Sequence, residues 1–141
     1  MTDERLEREV VEQHRRLDAL FTAVRESLVA ERGASALSAS LGRLEEALEV
    51  HFLQEDELYY PAIGALRPEQ KARLQACVAA HRHLRNQLRD LDGRAARGER
   101  AGALQVFEAL AEDFRRHEVR EEEVLHDLDL DRSGPRSRPS I

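Results

Sequence analysis

The sequence contains little of the material from which β-sheets are built. Valine, isoleucine and threonine together account for 13 of the 141 residues, and tryptophan is absent. Because β-branched and aromatic side chains are the ones that pack well on a pleated surface, this shortage argues against a β or α/β fold. Alanine, glutamate, lysine, leucine and arginine instead supply 80 residues, which is typical of long helices. The composition therefore predicts an all-α fold.

The sequence also lacks the features of several other classes of protein. No apolar run approaches the roughly 20 residues that cross a bilayer, and the charged start, Met1–Arg5, is unlike a signal peptide. A single cysteine, Cys77, cannot form an intramolecular disulfide and suits a reducing cytoplasm. The net charge of −6 is unfavourable for binding phosphate backbones. We therefore expect a cytoplasmic protein without a nucleic-acid or membrane partner. The 21 arginines against one lysine are typical of a GC-rich bacterial genome.

Glycine and proline divide the chain into four long segments. The breaks fall at Gly33, between Pro61 and Pro68, and around Gly98. We predict helices at about 3–31, 36–60, 68–97 and 100–128. Short connections make consecutive helices antiparallel neighbours, so the expected domain, 1–130, is an up-down-up-down four-helix bundle. The polar, proline-containing tail, 131–141, is predicted to be disordered.

Each segment carries one apolar seam whose members are spaced alternately three and four residues apart. This is the period of helices packed at a shallow angle. In the second segment, for example, the seam runs through Leu37, Leu41, Leu44, Leu48, His51, Glu55 and Leu58. The four seams together are interrupted by six polar residues: His14, His51, Glu55, His81, His117 and Glu121.

These six residues are predicted to meet in one layer of the bundle. Each segment contributes one histidine, and the second and fourth add a glutamate four residues later, on the same helix face. With a rise of ~1.5 Å per residue, all six fall about 22 to 31 Å from the same end of the bundle. An internal repeat relates them, since His14 precedes His51 by 37 residues and His81 precedes His117 by 36. We therefore expect two helical hairpins that meet at a pseudo-two-fold centre.

A cation explains how such a layer could be buried. Burying an uncompensated carboxylate costs several kcal/mol, and a domain has only about 5–15 kcal/mol of stability in total. Imidazole and carboxylate ligands without thiolate suit iron, manganese or zinc. Six ligands in a two-fold arrangement indicate two ions with both carboxylates bridging, which leaves positions for an oxo or hydroxo bridge and an exogenous molecule. Zinc normally takes four ligands at one centre. The prediction is therefore two iron ions, with manganese or zinc as alternatives.

Four stretches of the chain resemble the hemerythrin-like, or HHE cation-binding, family. They are Glu12–Leu17, His51–Pro61, His81–Leu84 and His117–Glu121. The resemblance implies a four-helix bundle with a non-haem di-iron centre that binds dioxygen or a related small molecule at an open iron position. It also implies how the ligands are shared: one iron by His14 and His51, the other by His81 and His117, and both by Glu55 and Glu121.

The chain departs from oxygen-carrying hemerythrins at two positions. Arg85 stands where they have a second histidine one turn after that of the third helix. In the last helix Glu121 follows His117 at four residues, where they have an aspartate at five. The ligand set is more similar to the sensing and stress-repair branches, in which a more open iron reacts or exchanges. Candidates for a further ligand are Glu118, Glu122, Tyr59 and Tyr60, although a surface position is the expectation for Glu118.

Three interpretations of function follow. The first is a sensor, scavenger or store that binds dioxygen or a related small oxidant at the di-iron centre. The second is an enzyme with peroxidase, ferroxidase or nitric-oxide-linked stress-repair activity at the same centre. The third is an interaction module whose buried histidines are structural. A monomer and a homodimer both fit the sequence.

Overall fold

The computed structural model describes residues 3–30 and 33–137, with the side chains of residues 4–30 and 33–126. Its helices are α1 (Asp3–Val29), α2 (Ala34–Gln54), α3 (Tyr60–Leu66), α4 (Lys71–Ala96) and α5 (Arg100–Ser137). A π-helical turn (Glu55–Tyr59) joins α2 to α3, and a 3-10 turn (Pro68–Gln70) leads into α4. No strand occurs in this part of the chain.

The helices form a bundle with four long members, because α2, the π-helical turn and α3 follow one another without a break. α1 packs against α2 and α5, and α4 packs against the same two helices. Consecutive members are antiparallel, since each is joined to the next by a short connection. The predicted all-α, up-down-up-down bundle is confirmed. Among the described residues, no helix has both the length and the apolar character that crossing a bilayer requires.

The helix ends follow the predicted breaks in part. Gly98 adopts a φ of 73°, which residues with a side chain rarely do, and its N–H donates to the carbonyl of Ala95 where α4 ends. Pro61 does not end the second segment. It lies in the first turn of α3, where a missing N–H is tolerated, and the helix continues to Leu66.

The last helix is longer than predicted. α5 continues past the expected end at 128 to Ser137, so residues 131–137, which we assigned to the tail, extend it. Residues 138–141 lie outside the described part of the chain. The division into a domain over 1–130 and a disordered tail over 131–141 stays a prediction.

Two apolar clusters fill the bundle. Cluster 1 consists of the buried apolar residues within 17–28, 37–52, 84–91 and 103–114. Cluster 2 consists of Leu6, Val10, Tyr59, Tyr60, Ile63, Leu74, Cys77, Val124 and Leu125. Every long member of the bundle contributes residues to both clusters. Each of the four members therefore has a short stretch that lies between cluster 1 and cluster 2. These four stretches form the layer in which the polar seam residues lie.

The π-helical turn changes which side chains of the second seam face the core. Leu58, which periodicity placed on the seam, is 57% exposed, whereas Tyr59 is 5% exposed. A π turn contains one residue more than an α turn, so the side chains that follow it are displaced by one position. The prediction for Leu58 is therefore wrong. The same displacement brings Tyr59 and Tyr60 into cluster 2.

Candidate metal centre

All six polar seam residues lie between the two clusters. Each is buried, with at most 4% of its surface exposed. We call them the six-residue centre: His14 from α1, His51 from α2, Glu55 from the π-helical turn, His81 from α4, and His117 and Glu121 from α5. The structure thus brings together every residue that the sequence proposed as a metal ligand.

The centre divides into two overlapping ligand sets. One is His14, His51, Glu55 and Glu121, and the other is Glu55, His81, His117 and Glu121. Within each set the candidate ligand atoms all lie within 4.8 Å of one another. Both glutamates belong to both sets. The arrangement could therefore hold two neighbouring cations bridged by two carboxylates.

The Nε2 atoms of the rings face the centre. Nε2 of His81 lies 3.0 Å from Oε1 of Glu55 and 3.0 Å from Nε2 of His117. Nε2 of His14 lies 3.2 Å from Oε1 of Glu121. Lone pairs of imidazoles and carboxylates thus converge on a small volume, as the ligands of a cation do.

Two unpartnered atoms of the centre are of the kind that a cation would bind. Nε2 of His51 and Oε1 of Glu55 are buried and have no hydrogen-bond partner among the described residues. Leaving a buried polar atom unsatisfied costs about 1–3 kcal/mol, and more when it is charged. A metal ion bound by both atoms would remove this cost. The residues of the centre therefore fit a metal.

Burial also decides the protonation of the centre. It lowers the pKa of His14 to about 4, and it lowers those of His81 and His117 to about 3. Burial raises the pKa of Glu121 well above its ordinary value, and the nearby charge of Glu122 raises it further. The histidines are therefore neutral at pH 7 with lone pairs available, whereas an ionised Glu121 needs a positive partner.

Two polar side chains outside the centre hold histidine rings. Nδ1 of His51 donates to Oε1 of Gln13 at 2.6 Å, and Nδ1 of His81 donates to Oδ1 of Asp56 at 2.9 Å. Such bonds fix the tautomer in which Nε2 is free to bind a metal. Neither Gln13 nor Asp56 lies on a seam, so periodicity missed both. Their positions directly beside a predicted ligand are the signal that could have identified them.

The two tyrosines have different relations to the centre. The hydroxyl of Tyr60 donates to Oε2 of Glu121 and lies 3.3 Å from Nε2 of His81. Burial raises the pKa of Tyr60, so its hydroxyl keeps the proton that it donates. Tyr59 lies one step farther out, where its hydroxyl accepts from Nε2 of Gln13 at 3.0 Å. Tyr60 therefore borders the centre, whereas Tyr59 supports a residue that orients it.

Glu118 does not lie on the surface as expected. It is 7% exposed, because α5 packs it beside His14, with Oε2 of Glu118 3.6 Å from Nδ1 of His14. Burial, together with the carboxylates of Asp18 and Glu122, raises the pKa of Glu118 to about 8. Glu118 is thus a buried acid next to the centre, although it belongs to neither ligand set.

Arg85 and Cys77 do not contribute ligands. The guanidinium of Arg85 donates to Glu49 at 3.0 and 3.2 Å and lies over the ring of Phe52. Cys77 is buried, hydrogen-bonds with Tyr60 and belongs to neither ligand set. Position 85 thus supplies no fifth histidine. Next to His81, the polar side chain that contacts the outer nitrogen of the ring is Asp56.

Comparison with known proteins agrees with this geometry. The family model described as the hemerythrin HHE cation binding domain matches residues 5–128, a span that contains the whole six-residue centre. No curated protein and no solved structure matches the chain.

Proposed function

Since the chain belongs to the hemerythrin HHE cation-binding family, we propose that it is a non-haem di-iron protein which binds dioxygen or a related small oxidant. It would act as a sensor, scavenger or store. The proposal includes a cytoplasmic location and a monomeric or homodimeric state, with the small oxidant as its partner rather than nucleic acid or membrane.

The observation that carries this proposal is the sharing of Glu55 and Glu121 between two ligand sets. A single cation would be satisfied by one set, and the two histidines of the other set would remain buried without compensation. Two cations use all six side chains. The two shared carboxylates would also supply negative charge to both cations, which would offset the repulsion between them.

The donor set favours iron. Each position has two imidazoles and two shared carboxylates, without thiolate, and this combination suits iron better than it suits a four-coordinate structural zinc. Four protein ligands would leave coordination positions open on an ion that takes six ligands. When bound, iron supplies the one-electron chemistry through which dioxygen and related oxidants are bound and reduced.

A small cavity lies beside the centre. A cavity of about 10 Å³ adjoins Glu55, Glu121 and Tyr60, and its other walls are mainly apolar. This is room for about one water-sized molecule. The hydroxyl of Tyr60, which donates to Glu121, holds a proton at the edge of this cavity. Asp56 and Gln13 keep the imidazole rings aligned from outside.

Anaerobic reconstitution with Fe(II) tests the proposal. We expect about two iron ions per chain and, after exposure to air, the optical charge-transfer bands of a di-ferric centre. Glu121→Ala should bind much less iron. Glu112→Ala, which changes an exposed carboxylate on the same helix, should bind as much as the wild type.

Two results would contradict the proposal in different ways. Tight zinc binding without charge-transfer bands after reconstitution would overturn the choice of iron. A melting temperature that is the same with and without chelator would overturn metal binding, since a metal bound by the native state must raise it. That second result would favour the interaction module with structural histidines.

Tyr60 favours a second candidate function, a peroxidase, ferroxidase or nitric-oxide-linked stress-repair activity at the same centre. Its hydroxyl lies beside the cavity and can donate a hydrogen bond to an oxidant held there. Turnover of hydrogen peroxide that falls in Tyr60→Phe, at unchanged iron content, would support this candidate. Absence of turnover in the iron-loaded wild type would contradict it.

A further inference from the structure

At three histidines of the centre, the outer nitrogen is either already bonded or has no carboxylate beside it. Nδ1 of His51 is bonded to Gln13, and Nδ1 of His81 is bonded to Asp56. Nδ1 of His117 is buried, has no hydrogen-bond partner and forms no ion pair with a carboxylate in the part of the chain that the structure describes. None of these three positions therefore combines an unpartnered outer nitrogen with a carboxylate beside it.

His14 differs from the other three histidines. Its Nδ1 lies 3.6 Å from Oε2 of Glu118 and 3.6 Å from Oε2 of Glu122, which is too far for a hydrogen bond. Nδ1 of His14 and Oε2 of Glu118 are both buried, and neither has a hydrogen-bond partner within the described residues. Two atoms of the kind that bind metals therefore face each other just outside the centre.

The same residues lead from solvent to the centre. The side chain of Glu122 is 45% exposed, that of Glu118 is 9% exposed and that of His14 is 5% exposed. On the inner side, Nε2 of His14 lies 3.2 Å from Oε1 of Glu121, which belongs to both ligand sets. Asp18, exposed on α1, lies near Glu118 and places a third carboxyl group near the outer end.

The approach to His51 has the opposite charge. A groove of about 500 Å³ between α1 and α2 reaches His51, and it is lined by Arg16 and Arg43 against a single carboxylate, Glu46. Local charge of one sign raises or lowers the concentration of an ion at a surface. A divalent cation is therefore disfavoured at this groove and favoured at the carboxylates beside His14.

We propose that Glu122, Glu118 and His14 form an entry route for divalent cations, with a transient site between Oε2 of Glu118 and Nδ1 of His14. This inference rests on metal binding by the six-residue centre and adds how the metal reaches it. The exposed Glu122 attracts the cation, Glu118 and the outer nitrogen of His14 hold it, and a shift of the His14 ring gives it access to Glu121.

Rates of metal uptake test the route. The full chain is freed of metal with a chelator and mixed with Co²⁺ in a stopped-flow instrument, where visible absorption reports binding. We expect Glu118→Gln to slow uptake about tenfold, because it removes the carboxyl group that holds the cation beside His14. Glu122→Gln should slow uptake about threefold, because it removes an exposed charge that attracts the cation. Both variants should reach the final cobalt content of the wild type. Added salt should slow the wild type more than it slows Glu122→Gln.

Glu46→Gln is the matched control. It removes the same charge from an exposed carboxylate beside the His51 groove, and it should load at the wild-type rate. Slowing of Glu46→Gln to the same extent would overturn the route, because a general loss of negative charge would then explain the effect.

Three further results would also test the proposed entry route or the metal binding on which it rests. Wild-type uptake rates in both Glu118→Gln and Glu122→Gln would overturn the route. So would a Glu118→Gln protein that loads at the normal rate but holds cobalt more weakly, because Glu118 would then orient His14 and nothing more. Glu122→Gln changes an exposed side chain, so it still tests the route if Glu118→Gln does not fold. A wild-type chain that takes up no metal would instead contradict the proposed function itself.

Discussion

The two halves of the six-residue centre have matched ligands and unmatched surroundings. The first half is the set that contains His14 and His51, and the second half is the set that contains His81 and His117. Both use the same two glutamates. The backbone at the two shared glutamates differs, since a π-helical turn begins at Glu55 whereas α5 continues without interruption past Glu121. Pseudo-symmetry thus extends to the groups that would contact the cations and no farther.

The difference in surroundings makes the two halves chemically unequal. In the first half an amide oxygen, that of Gln13, accepts from a histidine, and in the second half a carboxylate, that of Asp56, does so. A carboxylate acceptor makes an imidazole a stronger metal ligand than an amide does. Tyr60 borders the second half through its contact with His81. We therefore expect the second half to bind its metal more tightly.

Loss of a shared carboxylate should reduce the number of bound metal ions more than any other change to the two halves. Glu55→Ala removes a ligand from both halves, so we expect less than about one metal ion per chain and no rise in melting temperature on adding metal. His117→Ala removes a ligand from the second half alone and should leave about one ion. Metal analysis and calorimetry measure both, with the exposed His83→Ala as the control. Retention of two ions by Glu55→Ala would show that the carboxylate is not shared.

Asp56→Asn should reduce the difference in metal affinity between the two halves. Replacing the carboxylate that accepts from His81 should weaken metal binding in the second half about 10- to 100-fold, with little change in the first. Competition with a chelator of known affinity resolves the two binding steps. Asp56→Glu should recover part of the affinity. Equal weakening of both steps would contradict the assignment of Asp56 to one half.

The stability of the metal-free protein should depend on pH in two directions. The histidines have an ordinary pKa of 6.5, lowered on folding to about 4 for His14 and about 3 for His81, so stability falls as the pH drops below 6.5. Glu121, raised well above 4.5, and Glu118, raised to about 8, make stability fall as the pH rises above 4.5. The free energy of unfolding is therefore expected to be largest between pH 4.5 and pH 6.5.

Denaturant titrations across the pH range measure this profile. Metal should stabilise most on the alkaline side, where it binds the ionised Glu121, and metal-free Glu121→Gln should show a smaller alkaline decline. Metal-free wild-type protein whose stability rose steadily up to pH 8 would contradict the raised pKa values of the two glutamates.

The smallest effect is expected at the π-helical turn, which is found after Glu55 and not after Glu121. Leu58→Ala changes an exposed side chain, so the free energy of unfolding should change by less than about 0.5 kcal/mol. Leu44→Ala, at a fully buried position of the same seam, should cost about 2–5 kcal/mol in the same denaturant titration. A cost at Leu58 similar to that at Leu44 would mean that the seam continues through Leu58 without a π turn.

Periodicity predicted most of the fold and the composition of the centre. Val10 and Leu17 on either side of His14, like Leu84 and Leu88 after His81, are buried as their spacing requires. A buried stripe with a period near 3.5 residues can be read without knowing what packs against it. The ionisable residues on such a stripe could therefore be identified from the sequence.

Periodicity failed where a backbone irregularity or a neighbouring helix decided the outcome. The π turn displaced Leu58 by one position, and no pattern of residue types marks where such a turn begins. Glu118 lies directly beside a seam residue, so its burial depended on how closely α1 approaches α5. Asp56 and Gln13 likewise found their partners across helix interfaces.

The order of residues along the chain by itself determined that four helices form and that four histidines and two glutamates face inward. That follows from local geometry, because a helix fixes which side chains share a face. Only the tertiary structure decided that the six side chains divide into two sets with shared carboxylates, and that acids lie beside His14 while an amide and a carboxylate hold His51 and His81. Distances between helices depend on packing across the whole bundle, which no single segment encodes.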